Sequence, residues 1–171
     1  MPENVKSAHP IPEGYTAITP WIIARGVPKL IDYLKTAFDA MEIARIVNPD
    51  GLVGHAEVRI GGAAIMMFDA KPDWPDTPAF IRLYVEDGEA IFQQAIKAGG
   101  TKVTPMTDLG FGERVGRVRD PLGNLWWIQT HIEDLDTTEM EKRAGEKQYI
   151  EAMQSVQESF DHEMSNRKRK S

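Results

Sequence analysis

The chain has 171 residues, 42% hydrophobic and 27% charged, with a formal net charge of −6. That length suits one domain or two small modules sharing a core, and the acidic balance argues against a nucleic-acid partner, because phosphate backbones select basic surfaces. There is no cysteine, which excludes disulfides, thiolate catalysis and Cys-ligated zinc or iron–sulfur centres.

No apolar run reaches about 18 residues, so no membrane span is expected. Residues 1–14 are polar, hold three prolines and read as an irregular lead-in. They lack the apolar core of a signal peptide, which points to the cytoplasm. The β-formers Tyr15, Ile18, Trp21, Ile22 and Ile23 then predict a strand over 15–24. Gly26 and Pro28 open a helix whose apolar positions Leu30, Ile31, Leu34, Ala37 and Phe38 recur at helical spacing. Three strands are predicted next, over 41–47, 52–60 and 63–70, separated by Asn48-Pro49-Asp50-Gly51 and by Gly61-Gly62. A linker at 71–78 with three prolines ends the first module, 15–70.

The second module, 79–132, repeats the order. A strand is predicted at 79–86 and a helix at 88–98 with Ile91, Phe92, Ala95 and Ile96 inward, closed by Gly99-Gly100. Strands follow at 101–109, 113–119 and 125–130, the last two joined by Asp120-Pro121-Leu122-Gly123. Gly110-Phe111-Gly112 reads as a hairpin tip able to act as a cleft lid. Residues 133–171 predict a charged helix, opened by a capping box at Thr138 and Glu141, with a thin stripe of Met140, Ala144, Met153, Val156 and Phe160. Packing on its own sheet or on a partner is the expected role. The basic run at 167–170 reads as a solvated tail.

The two modules echo each other at an offset of 61: Leu30, Ile31 and Leu34 fall on Ile91, Phe92 and Ala95, Gly62 on Gly123, and Met66 on Trp127. Such an echo indicates duplication of one β-α-β-β-β unit, hence an α+β fold. Strand parity then separates two faces. Ala56, Val58, Ile60, Ile81, Leu83, Val85 and Val118 belong under the helices. The other face carries Thr19, Trp21, His55, Glu57, Arg59, Met66, Phe68, Phe80, Arg82, Tyr84, Arg117, Trp127, Gln129 and His131. Aromatic walls with a few directional polar groups are what a ligand cleft needs.

Ile18-Thr19-Pro20-Trp21, His55-Ala56-Glu57-Val58-Arg59-Ile60-Gly61-Gly62, Asp120-Pro121-Leu122-Gly123-Asn124 and Thr130-His131-Ile132-Glu133-Asp134 resemble the PhnB-like branch of the vicinal oxygen chelate superfamily. Glyoxalase I, extradiol dioxygenases and bleomycin-resistance proteins are its better-known members. The resemblance, over about residues 15–135, implies curled mixed sheets around a cleft, helices outside, and a homodimer. Its metal-dependent members hold a divalent ion through imidazoles and carboxylates, one from each of four strands. Here the aligned positions are Thr19, Met66, Phe80 and Trp127, none a donor for such an ion, and neighbours one residue away fail as well. No metal and no cofactor are therefore expected; His55, Glu57 and His131 share the cleft face and would be the donors of a relocated ion.

Three functions follow in order. The first is metal-free binding or sequestration of a small aromatic or amphipathic molecule between the modules. Trp21, Tyr84 and Trp127 would stack on it, Arg82 or Arg117 would pair with an anionic group, and Thr19, Met66, Phe80, Gln129 and His131 would complete the lining. The second is a metal-free isomerase or lyase with His55 or Glu57 as general base. The third is a metal-dependent lyase or dioxygenase, weakened by the missing ligands. Against these stand structural roles: a Glu57–Arg59 pair, and His131 bonded to a carbonyl near its strand end.

Overall fold

The computed structural model describes residues 9–167. Its elements in chain order are β1 (Trp21–Ala24), α1 (Val27–Phe38), β2 (Met41–Val47), β3 (Val53–Ile60), β4 (Ala63–Asp69), β5 (Phe80–Tyr84), α2 (Gly88–Lys97), β6 (Thr101–Leu109), β7 (Glu113–Arg119), β8 (Leu125–His131), α3 (Thr137–Ala144) and α4 (Lys147–Ser165). They form two four-stranded sheets of order β1-β4-β3-β2 and β5-β8-β7-β6. In each, the first strand runs parallel to the last and the other neighbours are antiparallel.

The duplication is visible in the register. Trp21 pairs with Met66 and Arg82 with Trp127, keeping the offset of 61. On the hairpin partner it drops to 60, since Arg59 pairs with Ala64 while Arg119 pairs with Leu125. The second turn is one residue longer.

Helix α1 starts where Gly26 adopts φ 106°. The cap comes from another strand: Asp69 accepts hydrogen bonds from the Gly26 and Val27 amides at 2.8 and 2.9 Å. This satisfies donors that the first turn leaves orphaned and places a carboxylate at the positive end of the helix. Val27, Leu30, Ile31, Leu34, Ala37 and Phe38 are all buried. They share one core with Ala56 and Val58 of β3, Phe92 and Ala95 of α2, and Trp126 and Ile128 of β8. The modules thus join through their helix-side faces, as the Tyr33 hydroxyl bond to the Ala95 carbonyl and the packing of Phe38 on Trp126 at 4.9 Å illustrate.

Three local expectations change. The first strand is shorter than 15–24, because Pro20 offers no amide and residues 10–19 leave the sheet to cross its other face. The C-terminal helix is two helices, broken at Gly145, and its cap is Asp136, which accepts from the Glu139 amide at 2.8 Å, not Thr138. The tip at Gly110–Gly112 is anchored, with the Gly112 carbonyl taking the Ile132 and Glu133 amides. Gly112 has φ 82°, and a Cβ there would lie 2.2 Å from the Glu133 carbonyl oxygen. Of the expected basic tail, only Arg167 lies within the described residues.

Candidate functional site

Parity along β3 sends Ala56 and Val58 into the core and leaves His55, Glu57 and Arg59 half-buried on the opposite face. There Glu57 is bonded twice. Its Oε1 lies 2.6 Å from His55 Nε2, and its Oε2 accepts the Tyr15 hydroxyl. The Tyr15 and His55 bonds hold the Glu57 carboxyl below its ordinary value, and the same bond raises the Tyr15 phenol. In the neutral imidazole tautomer whose Nε2 donates to the carboxylate, Nδ1 is left as an acceptor. The structural alternative, a Glu57–Arg59 pair, does not form; Arg59 donates to the Gly14 carbonyl at 2.9 Å. Gly14 has φ 81°, and a Cβ there would lie 2.5 Å from the guanidinium, so glycine permits this close crossing.

The crossing segment roofs a pocket of about 540 Å³ lined by Pro10, Ile11, Pro12, Tyr15, Thr16, Ala17, Thr19, Glu57 and Met66. Beside it Trp21 makes edge contacts with His55 at 5.7 Å and Phe68 at 5.5 Å, and stays 48% exposed.

The second module's face is arranged differently. Arg82, Trp127 and Arg117 sit side by side on β5, β8 and β7. The two guanidinium carbons lie 4.5 and 4.1 Å from the Trp127 ring centroid. Helix α4 lies over them: Arg117 donates to Thr104 Oγ1 at 3.0 Å and to the Val156 carbonyl at 2.8 Å, and Phe160 stacks on Phe80 at 5.6 Å. Burial, and then the charge of Arg82, pull the Arg117 guanidinium down to about 10, leaving it protonated at neutral pH. Arg117 Nε, Trp127 Nε1 and Gln129 Oε1 are buried without a partner.

At the far end of this face Gln129 bridges the Tyr84 hydroxyl and Glu113 at 3.1 and 2.7 Å. Glu113 and Asp134 then grip His131 at its two ring nitrogens, each at 2.8 Å. Asp134 first, then Glu113, raise the His131 imidazole above its ordinary value. His131 therefore bonds carboxylates rather than a backbone carbonyl.

The predicted residues gather as two clusters, not one. Thr19, Trp21, His55, Glu57 and Met66 meet on the first sheet, while Phe80, Arg82, Tyr84, Arg117, Trp127, Gln129 and His131 belong to the second. Among the described residues no hydrogen bond, ion pair or ring contact joins the two clusters. The shared core uses the helix sides, so within one chain each cleft face is covered by a terminal segment instead of by the other module. Four participants escaped sequence reading: Tyr15, Thr104, Glu113 and Phe160 as a cleft residue. Glu113 shares the parity of Arg117 and was within reach; the others depend on how the termini cross the sheets.

The metal positions of the resembled family fall beside one another in each module. Thr19 and Met66 border the first pocket, and Phe80 lies 5.9 Å from Trp127. A hydroxyl, a thioether and two rings do not fit a divalent ion. His131 stands with Glu113 and Asp134, apart from His55 and Glu57, and no group of three or more His, Cys, Asp or Glu among the described residues is placed to hold a metal.

Residues 15–128 match the family described as the Glyoxalase/Bleomycin resistance protein/Dioxygenase superfamily. The uncharacterized protein Rv0887c of Mycobacterium tuberculosis is 34% identical over 136 residues, 73% of this chain and 80% of that protein. Among solved structures, TioX from Micromonospora sp. ML1 aligns with a TM-score of 0.59 at 23% identity, over 68% of this chain and 99% of its own. The PhnB protein of Bacillus cereus aligns at 0.54 and 18%, over 69% and 100%. The fosfomycin resistance protein FosX of Listeria monocytogenes aligns at 0.55 and 15%, over 73% and 97%. The chain belongs to the Glyoxalase/Bleomycin resistance protein/Dioxygenase superfamily.

Proposed function

We propose that this protein binds a small aromatic or amphipathic molecule on the cleft face of its first module, without a metal. The carrying observation is the pocket of about 540 Å³, with apolar walls and the Tyr15–Glu57–His55 chain as its polar side. Trp21 at its margin supplies an aromatic face for stacking, and Thr19 and Met66 complete the wall. The family description includes resistance proteins, and a sequestering role fits such a pocket. The reading includes a homodimer, with the second copy covering the apolar edge of β2.

Native mass spectrometry of the purified chain, and fluorescence titration with the neutral aromatic probe phenylnaphthylamine, test this reading. A bound small molecule or saturable probe binding that weakens roughly tenfold in Trp21→Ala is the expected outcome. Absence of both, or binding untouched by Trp21→Ala, would sink it.

A second reading, metal-free acid–base catalysis, is favoured by the same hydrogen-bonded chain. Tyr15 and Glu57 would orient His55 as the proton acceptor through Nδ1. Turnover abolished by His55→Ala with probe binding intact distinguishes it from binding alone.

A further inference from the structure

The second module contains two cations, Arg82 and Arg117, with no ion-pair partner among the described residues. Arg82 and Arg117 come from the strands on either side of β8, and the register forces them against the same indole. No described carboxylate pairs with either of them. Arg117 is only 3% exposed, and a buried cation is stable chiefly when an opposite charge or full hydrogen bonding accompanies it. It has neither, since its Nε is unpartnered.

What faces Arg117 is α4, while Arg82 stays exposed, and what α4 offers has the outline of a ligand. The Val156 carbonyl sits 2.8 Å from Arg117 Nη1, where an oxyanion would bind. One turn on, the Phe160 ring lies 4.8 Å from the Arg117 guanidinium carbon and stacks on Phe80. A neutral carbonyl and a ring thus occupy a seat whose charge calls for an anion.

The helix is also lightly held. Of its 19 residues only Val156 and Glu163 are buried. Its other attachments are the Phe160–Phe80 stack, the partly buried Ala152, and polar bonds from Ser159 to Thr104 at 2.7 Å, from Arg119 to Glu163 at 3.0 Å and, just past the helix, from Arg167 to the Gly123 carbonyl at 2.9 Å. Such an element lies at the low-stability end of a fold, where a ligand with differential affinity shifts the population.

We propose that Arg82, Trp127 and Arg117 form a second site, for an aromatic oxyanion such as an aryl-alkyl carboxylate, and that α4 is its internal cover. The ligand's ring replaces Phe160 and its oxyanion replaces the Val156 carbonyl, so binding and helix docking compete. The site is distinct from the first-module pocket and does not depend on it.

The test uses the full chain and calorimetry with phenylpropionate, with neutral phenylpropionamide as control. The protein has no cysteine, so Thr104→Cys with Ser159→Cys introduces a lone pair of thiols where two hydroxyls now touch. The oxidised, cross-linked form is expected to bind phenylpropionate at least roughly tenfold more weakly than the reduced form. Independently, Phe160→Ala empties the ring's seat and should bind roughly tenfold more tightly than the unmodified chain. Arg117→Gln should lose that binding; Arg82→Gln, at the exposed side, repeats the charge test should loss of the buried arginine unfold the sheet. Equal binding by oxidised and reduced forms, or no binding even by Phe160→Ala, overturns the proposal. So does phenylpropionamide binding as well as the acid to the Trp21→Ala chain, where first-module stacking is removed. Phenylpropionate binding that persists in Trp21→Ala, where first-module stacking is removed, is expected; its complete loss there would move the ligand to the first module and overturn this site.

Discussion

Glu57 takes one hydrogen bond from a neighbour two residues away on its own strand and one from Tyr15, 42 positions earlier. Both bonds favour the ionised form, which is why its carboxyl titrates below the ordinary 4.5. A carboxyl depressed on folding contributes stability that is fully present above its unfolded value and is lost as pH falls through its folded value. Glu57→Gln is accordingly expected to cost about 1–2 kcal/mol at neutral pH, with the difference from the unmodified chain shrinking below pH 4.5. Urea midpoints measured across that range check this; a constant difference would show that the charge is not what the two donors stabilise. The His55–Glu57 half of this arrangement was legible, because residues two apart on a strand share a face. The Tyr15 half was not. Nothing in residues 10–19 says which sheet face they cross.

At the scale of elements, turns and caps fix where strands end. Asp120, 2% exposed, closes the β7–β8 connection by accepting from the Leu122 and Asn124 amides, from the Asn124 side chain at 2.8 Å and from Trp126 Nε1 at 3.0 Å. The Asp-Pro-x-Gly turn was readable in the sequence, but its tie to the core indole was not. Asp120→Ala strands several buried donors together and should cost about 3 kcal/mol, read as a lower urea midpoint with an unchanged denaturant slope. A loss below half a kcal/mol, roughly the scatter of surface substitutions, would contradict this accounting. The C-terminal helices show the opposite balance. Their sparse apolar stripe correctly indicated shallow packing, since α3 buries nothing and α4 two residues. That Val156 and Phe160 would meet Arg117 required knowing that the chain turns at Gly145 and runs back across β6 and β7.

On the scale of the whole molecule, one core holds both modules together through α1 and α2. This leaves β2 as an unpaired edge whose Met41, Ile46 and Val47 are 64%, 59% and 55% exposed. An exposed apolar edge strand is a template on which another chain can pair. Sedimentation velocity is expected to give a dimer for the unmodified chain and a monomer for Ile46→Lys; a monomer in both cases would remove the homodimer from the proposed function.

The sequence by itself determined the duplicated β-α-β-β-β architecture, the assignment of strand residues to helix-side and cleft-side faces, and the unsuitability of Thr19, Met66, Phe80 and Trp127 as metal ligands. The first two follow from local periodicity, which is written into a single strand or helix; the third joins side-chain chemistry to the positions that the family resemblance marks. Only the tertiary structure decided that the two cleft faces form separate clusters, that Tyr15 joins Glu57, and that α4 sits on the arginine pair. Those outcomes depend on contacts between segments far apart in the chain. Their partners are chosen by which surfaces the shared core leaves uncovered, and no periodicity records that choice.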